Sequence, residues 1–184
     1  PGSVKTRIGL EHVETERWSA FLLSQGLDAL TVHGRTAAEM SDGRARWEEV
    51  RKVVELRDSL APETLIIGNG DVRHPGEFLS KHRRYRVDGV MVGRGIFTDP
   101  YIFAGSGRLR RFRSRSRDDK LNLLLHHLRA FRTAWERERN YEIMKKFYKV
   151  YLTGFDDAER LRERLNQTHD FDTAERIVRH YRVL

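Results

Sequence analysis

Leu65-Ile66-Ile67 runs straight into Gly68-Asn69-Gly70-Asp71, and the same design returns at Gly89-Val90-Met91-Val92-Gly93-Arg94-Gly95. Each stretch is a short apolar run ending in small, flexible residues. All-apolar runs of this length suit strands buried on both faces of a parallel sheet. Glycines at the end of such a strand let backbone N–H groups approach a ligand closely. Two consecutive loops of this kind, with a helix between them, fit the phosphate grip built after the last two strands of a (β/α)8 barrel. Arg94 adds a fixed positive charge to the second loop.

The order of elements supports this reading. Ser3–Ile8 predicts a strand, with Lys5 and Arg7 on one side and Val4 and Thr6 on the other. Thr15 is placed to cap a helix from Glu16 to about Ser24, with Trp18, Phe21 and Leu22 on its apolar face. Ala29–Val32 predicts a second strand, delivering His33-Gly34-Arg35-Thr36 at its end. A polar loop through Ser41-Asp42-Gly43 leads to a helix from Trp47 to about Asp58. The strand at Leu65, a helix that Pro75 starts, and the strand at Asp88–Val92 complete a βαβαβαβ series. Such alternation means parallel strands and right-handed crossovers. A complete barrel takes about 250 residues, more than these 184. The expectation is therefore the C-terminal half of a TIM barrel, four parallel strands over residues 1–104.

Residues 105–117 change character, with arginines interleaved among glycine and serine, and read as an exposed basic linker. Residues 118–184 carry apolar residues at three- and four-residue spacing, from Leu121 to Val178, and predict an all-α helical bundle. Of 35 Lys/Arg and 27 Asp/Glu, 15 and 15 lie in residues 1–103, which leaves 20 against 12, the whole net charge of +8, in residues 104–184. A basic helical tail on a neutral α/β part points to a polyanionic partner, most simply nucleic acid. The sequence has no cysteine, so disulfides, thiolate metal sites and a cysteine acid or nucleophile are excluded within it. No zinc-ligand spacing occurs, and no apolar run is long enough to span a membrane.

Side chains at the C-terminal ends of barrel strands face the site. The four strands deliver Lys5 and Arg7, His33 and Arg35, Asn69 and Asp71, then Gly93 and Arg94. This is a cationic, polar ring without a nucleophile–base pair. It is suited to holding an anionic cofactor rather than to forming a covalent intermediate.

Val4-Lys5-Thr6-Arg7-Ile8-Gly9, Thr31-Val32-His33-Gly34-Arg35-Thr36, Ile67-Gly68-Asn69-Gly70-Asp71 and Asp88 through Gly95 together resemble successive motifs of the tRNA-dihydrouridine synthases. The likeness runs over about residues 3–103 and continues more weakly through Met144-Lys145-Lys146-Phe147 and Ala158–Leu165 into a helical tRNA-recognition domain. The resemblance implies a cytoplasmic enzyme that reduces the C5=C6 bond of uridine in tRNA with FMN and NADPH. It implies that Lys5, His33, Asn69, Gly70, Asp71, Gly93 and Arg94 bind the cofactor, with Lys5 near the flavin ring, where reduction develops negative charge. Arg7 and Arg35 are expected towards the substrate. The family's catalytic cysteine belongs to the first half of the barrel, so these residues alone are expected to be inactive, to lack a catalytic residue, and to self-associate as a half-barrel. Two other readings fit the residues: another FMN-dependent TIM-barrel oxidoreductase acting on a small molecule, and a non-catalytic RNA-binding module.

Overall fold

A computed structural model describes residues 2–104, 112–135 and 138–183. They fall into two compact units. One holds the described residues up to Ile96 together with 102–104. The other holds Phe97–Tyr101 and the described residues from 112 onward.

The first unit is a four-stranded parallel sheet, β1 (Ser3–Arg7), β2 (Ala29–His33), β3 (Leu65–Asn69) and β4 (Gly89–Met91), in the order β1-β2-β3-β4. Between the strands run α1 (Thr15–Leu23), α2 (Trp47–Leu60) and α3 (Pro75–Tyr85); α4 (Gly95–Thr98) follows β4, its first two residues in this unit and Phe97 and Thr98 in the other. A sheet whose order equals its sequence order is singly wound. Right-handed crossovers then put every helix on the same face. The alternation along the strands agrees. Leu30, Val32, Ile66 and Val90 point under the helices and share a core with Leu22, Leu23, Val50, Val53 and Val54. The opposite face carries Lys5, Arg7, His33, Ile67, Asn69 and Met91, and none of the helices between the strands covers it.

The helices form for local reasons. In α2, Trp47, Val50, Val53, Val54 and Arg57 recur at helical spacing and are buried. Pro75 sits in the first turn of α3, where its missing N–H costs no helical bond, and His74 Nδ1 accepts the Glu77 N–H at 3.3 Å. At the N-terminal end of the sheet, Arg57 donates to Thr64 O and to Asp88, both at 2.7 Å. Asp88 in turn accepts the Ile66 N–H, so one buried guanidinium ties α2 to β3 and β4.

Helix α1 departs from the sequence expectation. Thr15 is its first residue rather than its cap, and its hydroxyl donates to Glu49. Trp18 and Phe21 stack on one another at 5.7 Å but are exposed; Leu22 is buried as expected, with Leu23 beside it. The buried stripe of α1 is set by where α2 lies, and sequence spacing alone did not reveal that.

The second unit contains α5 (Arg117–Trp135), α6 (Tyr148–Tyr151), α7 (Ala158–Asn166) and α8 (Phe171–Val183), with 3-10 turns at Phe112–Ser114 and Tyr141–Phe147. Leu121, Leu124, Leu125 and Leu128 of α5 meet Met144, Tyr148, Leu161, Leu165, Ala174 and Val178 in a core of their own. The hydroxyls of Tyr141, Tyr148 and Thr168 satisfy one another inside it. Burial, then the bond with Tyr141, pushes the Tyr148 phenol well above its usual range. Ion pairs Arg129–Glu175 (3.1 Å) and Arg132–Asp172 (2.7 Å) join α5 to α8.

The expected linker is corrected at its end. Phe112 is buried in this core, and Lys120 is fully buried, donating to the carbonyls of Arg113 and Thr153 at 3.1 and 2.9 Å. The segment around Phe112 is thus part of the helical unit and not a solvated tether. Arg108, Arg110 and Arg111 lie outside the described residues.

Candidate functional site at the C-terminal ends of the strands

Register places Arg7, His33 and Asn69 side by side on the uncovered face, with Met91 next in line. Adjacent strands lie about 4.8 Å apart, so the three residues form one short row. Lys5 stands two residues back on β1, exposed and without an ion pair to a described residue. Asn69 is buried, and its amide donates to Met91 O at 2.8 Å, bridging the ends of β3 and β4.

The two glycine loops meet beyond these strands. A β-carbon on Gly95 would fall 1.9 Å from Val72 O, so the loop after β4 lies directly against the loop after β3. Gly70 has φ +126, and a β-carbon there would stand 2.5 Å from Ala45 Cβ and 3.4 Å from the His33 ring. Only glycine fits both that backbone conformation and that space. Trp47 fixes the loop from below, its indole N–H donating to Gly70 O at 2.8 Å. Gly93 and Arg94 are exposed at the rim.

Arg35 and Asp71, both expected at a ligand, are bonded within the protein. Arg35 is buried. It donates to Asp42 O at 3.0 Å, to Gly43 O at 2.6 Å and to Asp71 at 2.7 and 2.9 Å. Asp71, at φ +51, also accepts the Ala45 N–H at 2.7 Å. Burial alone would raise the Asp71 carboxyl, but the bonds from Ala45 and Arg35 outweigh it and hold the group below its usual range. The pair therefore clamps the loop after β2 to the loop after β3. Arg7 is partly engaged in the same way, donating to Thr36 O and Met40 O at 2.7 and 3.0 Å. Glu39 completes the loop, chelated by Arg46 at 2.8 and 2.6 Å. That pair, then the Thr36 N–H, holds its carboxyl down at about 2. Sequence reading missed Trp47, Glu39 and Arg46, because their partners are distant loop atoms and no local spacing marks them.

Electrostatics separate the ring into roles. Burial first, then the charges of Arg7, Arg35 and Lys5, pull the His33 pKa down to about 4, so the imidazole is neutral at pH 7. The ring sits in a positive field with no described carboxylate facing it except the already paired Asp71. A cavity of about 660 Å³ opens beside Lys5 and Arg7, walled by Leu10, Trp18 and Glu14. Among the described residues no group of three acidic or histidine side chains could hold a metal ion, and no helix is long and apolar enough to cross a membrane.

The comparison with known sequences decides the family. The profile described as Dihydrouridine synthase (Dus) matches residues 1–182. The chain belongs to the dihydrouridine synthase family. It is 37% identical over 180 residues to a Bacillus subtilis protein named probable tRNA-dihydrouridine synthase 2, covering 97% of this chain and 54% of that protein. It is 34% identical to proteins of Staphylococcus epidermidis (strain RP62A) and Staphylococcus aureus (strain Mu50), each named probable tRNA-dihydrouridine synthase, again over 97% of this chain and 54% and 53% of theirs. The chain thus spans about half the length of the curated relatives it matches.

Proposed function

We propose that this chain is the cofactor-gripping half of a tRNA-dihydrouridine synthase: the C-terminal half of a (β/α)8 barrel over residues 1–104, joined through 105–117 to a helical tRNA-recognition domain over 118–184. The observation that carries the reading is the juxtaposition of Lys5, His33 and Asn69 on the uncovered sheet face with the interlocked glycine loops around Gly70 and Gly93-Arg94. The residues fit FMN. A neutral imidazole in a field of lysine and arginine suits a polyanionic ligand with a flat ring. The close-packed loops leave backbone and Arg94 at the rim for its phosphate.

When bound, FMN supplies hydride chemistry at uridine C6, with NADPH as the reductant. The residues of this chain then have separate tasks. Lys5 holds a fixed positive charge beside the strand ends, where it favours negative charge developing on a neighbouring ring. His33, neutral, offers a hydrogen bond rather than a charge. Asn69 keeps the ends of β3 and β4 together. Arg94 and the loop glycines grip phosphate. Arg7 faces the substrate side, while Arg35 and Asp71 hold the loops in place. The proton for uridine C5 is assigned to the cysteine that the family resemblance places in the other half of the barrel; these residues contain none. Activity on tRNA also implies a cytoplasmic setting.

The test uses the full-length protein. It is expected to purify yellow, to release FMN on denaturation, and to add two hydrogens to uridine in a tRNA transcript when NADPH is supplied, read by mass spectrometry. A colourless protein, or a flavoprotein that oxidises NADPH and leaves tRNA unchanged, overturns the reading.

A further inference from the structure

The helical unit holds a cavity of about 700 Å³ that the reaction does not require. Its lining includes Phe97, Phe147 and Val150, and the cations Arg113, Lys146 and Lys149; none of the residues lining it is acidic. The Phe97 and Phe147 rings are 5.7 Å apart and tilted by 43°. Lys146 Nζ lies 5.0 Å from the Phe147 ring centroid, a cation–π contact. Phe97 is 50% exposed.

Some cations of the unit are paired and others are not, and those lining the cavity belong to the second group. Lys145 is paired with Glu142 at 2.7 Å, Arg162 with Glu159 at 2.9 Å and Arg179 with Glu175 at 3.1 Å. Arg113, Lys146 and Lys149 make no ion pair with a described carboxylate. An exposed phenylalanine alone means little, and so does a solvated lysine. Both in one cavity, without an acid, define a ligand that is flat on one part and anionic on another. That is the chemistry of a nucleotide. A base within a duplex has both faces covered, so only an unstacked one can lie on an aromatic ring.

We propose that this cavity receives one unstacked nucleobase of the tRNA, with Phe97 as the stacking face and Arg113, Lys146 and Lys149 on the flanking phosphates. The proposal rests on the tRNA reading above and adds a subsite to it. Phosphate contact and stacking leave different signatures. Neutralising phosphates releases counterions and makes affinity depend on salt, whereas stacking on a neutral ring does not.

The experiment titrates full-length protein with an unmodified tRNA transcript over a series of salt concentrations. Phe97→Ala is expected to weaken binding about five- to a hundred-fold at every salt concentration, with an unchanged slope. Phe97→Trp is expected to restore it, which separates stacking from misfolding. Lys146→Ser with Lys149→Ser is expected to make the salt slope shallower by about 0.7 per lysine. Wild-type affinity in Phe97→Ala, while the double lysine variant still loses slope, overturns the base subsite and leaves the tRNA reading standing. A higher KM for NADPH or a loss of flavin in Phe97→Ala, with tRNA affinity unchanged, also overturns it. A wild-type protein without tRNA affinity overturns both.

Discussion

Arg94 stands in an exposed loop without an ion pair to a described carboxylate, beside the glycines that lock the two loops together. A charge-assisted hydrogen bond from arginine to phosphate contributes about 1.5–3 kcal/mol. Arg94→Ala in the full-length protein is therefore expected to weaken FMN binding about ten- to a hundred-fold, measured as flavin retained after dialysis. Equal retention in mutant and wild type removes Arg94 from the phosphate site. His33 leaves a mark on stability. Its pKa is about 4 in the folded protein and 6.5 when unperturbed, so between those values the unfolded chain binds the additional proton. Stability then rises with pH across that window and falls as the pH drops from about 6.5 towards 4. Glu39 and Asp71, held low, lose their contribution mainly below it. Urea midpoints measured between these pH values are expected to decline in the wild type and to flatten in His33→Gln. Parallel profiles for the two proteins reject the shift.

The loop after β2 is organised by Arg35 and not by its own sequence. Removing one partner of a buried ion pair costs about 3–5 kcal/mol, because the other charge stays behind unpaired. Asp71 is only partly enclosed, so Arg35→Met is expected near the lower end of that range, about 3 kcal/mol, measured by chemical unfolding. Asp71→Asn keeps an acceptor and tolerates the positive φ, so its loss is expected to be smaller; the reverse order contradicts the clamp. The same scale shows what the sequence discloses. The strands were legible because an all-apolar run ending in Gly has few other uses, and α2 because Trp47, Val50, Val53 and Val54 keep one face. Lys5, His33 and Asn69 were legible as strand-end residues. The engagement of Arg35 with Asp71 was not, because the partners are 36 residues apart and either side chain could equally have faced a ligand. Trp18 and Phe21 on α1 misled for a related reason: their spacing is helical, but the covering element decides which stripe is buried. Phe112 was hidden by the arginines around it. The uncovered sheet face, with Met91 and Leu65 partly open, makes a further expectation: the 184-residue chain alone self-associates in sedimentation experiments. A monodisperse monomer contradicts it.

Across the whole molecule, charge and core divide in nearly the same place. The net charge of +8 falls after residue 103, and the two apolar cores share no residue. The first core is built from the sheet and α1 to α3, the elements that carry Lys5, His33, Asn69 and the loop of Arg94. Deleting residues 105–184 from the full-length protein is therefore expected to leave FMN bound. The tail's lysines and arginines carry the excess charge, and binding a polyanion through such groups makes log affinity fall linearly with log salt. The deletion is accordingly expected to remove most tRNA affinity and to flatten the salt dependence of what remains. Replacing Arg108, Arg110 and Arg111 with serine in the intact protein tests the share of the connecting segment. A modest loss of slope assigns it part of the contact, and none assigns the contact to α5 to α8. If the deleted protein keeps its flavin and binds tRNA with the original affinity and slope, the charge asymmetry has no part in docking and the helical unit serves stability alone. If it loses the flavin as well, the first core does not stand without the second and the division of labour between the units fails.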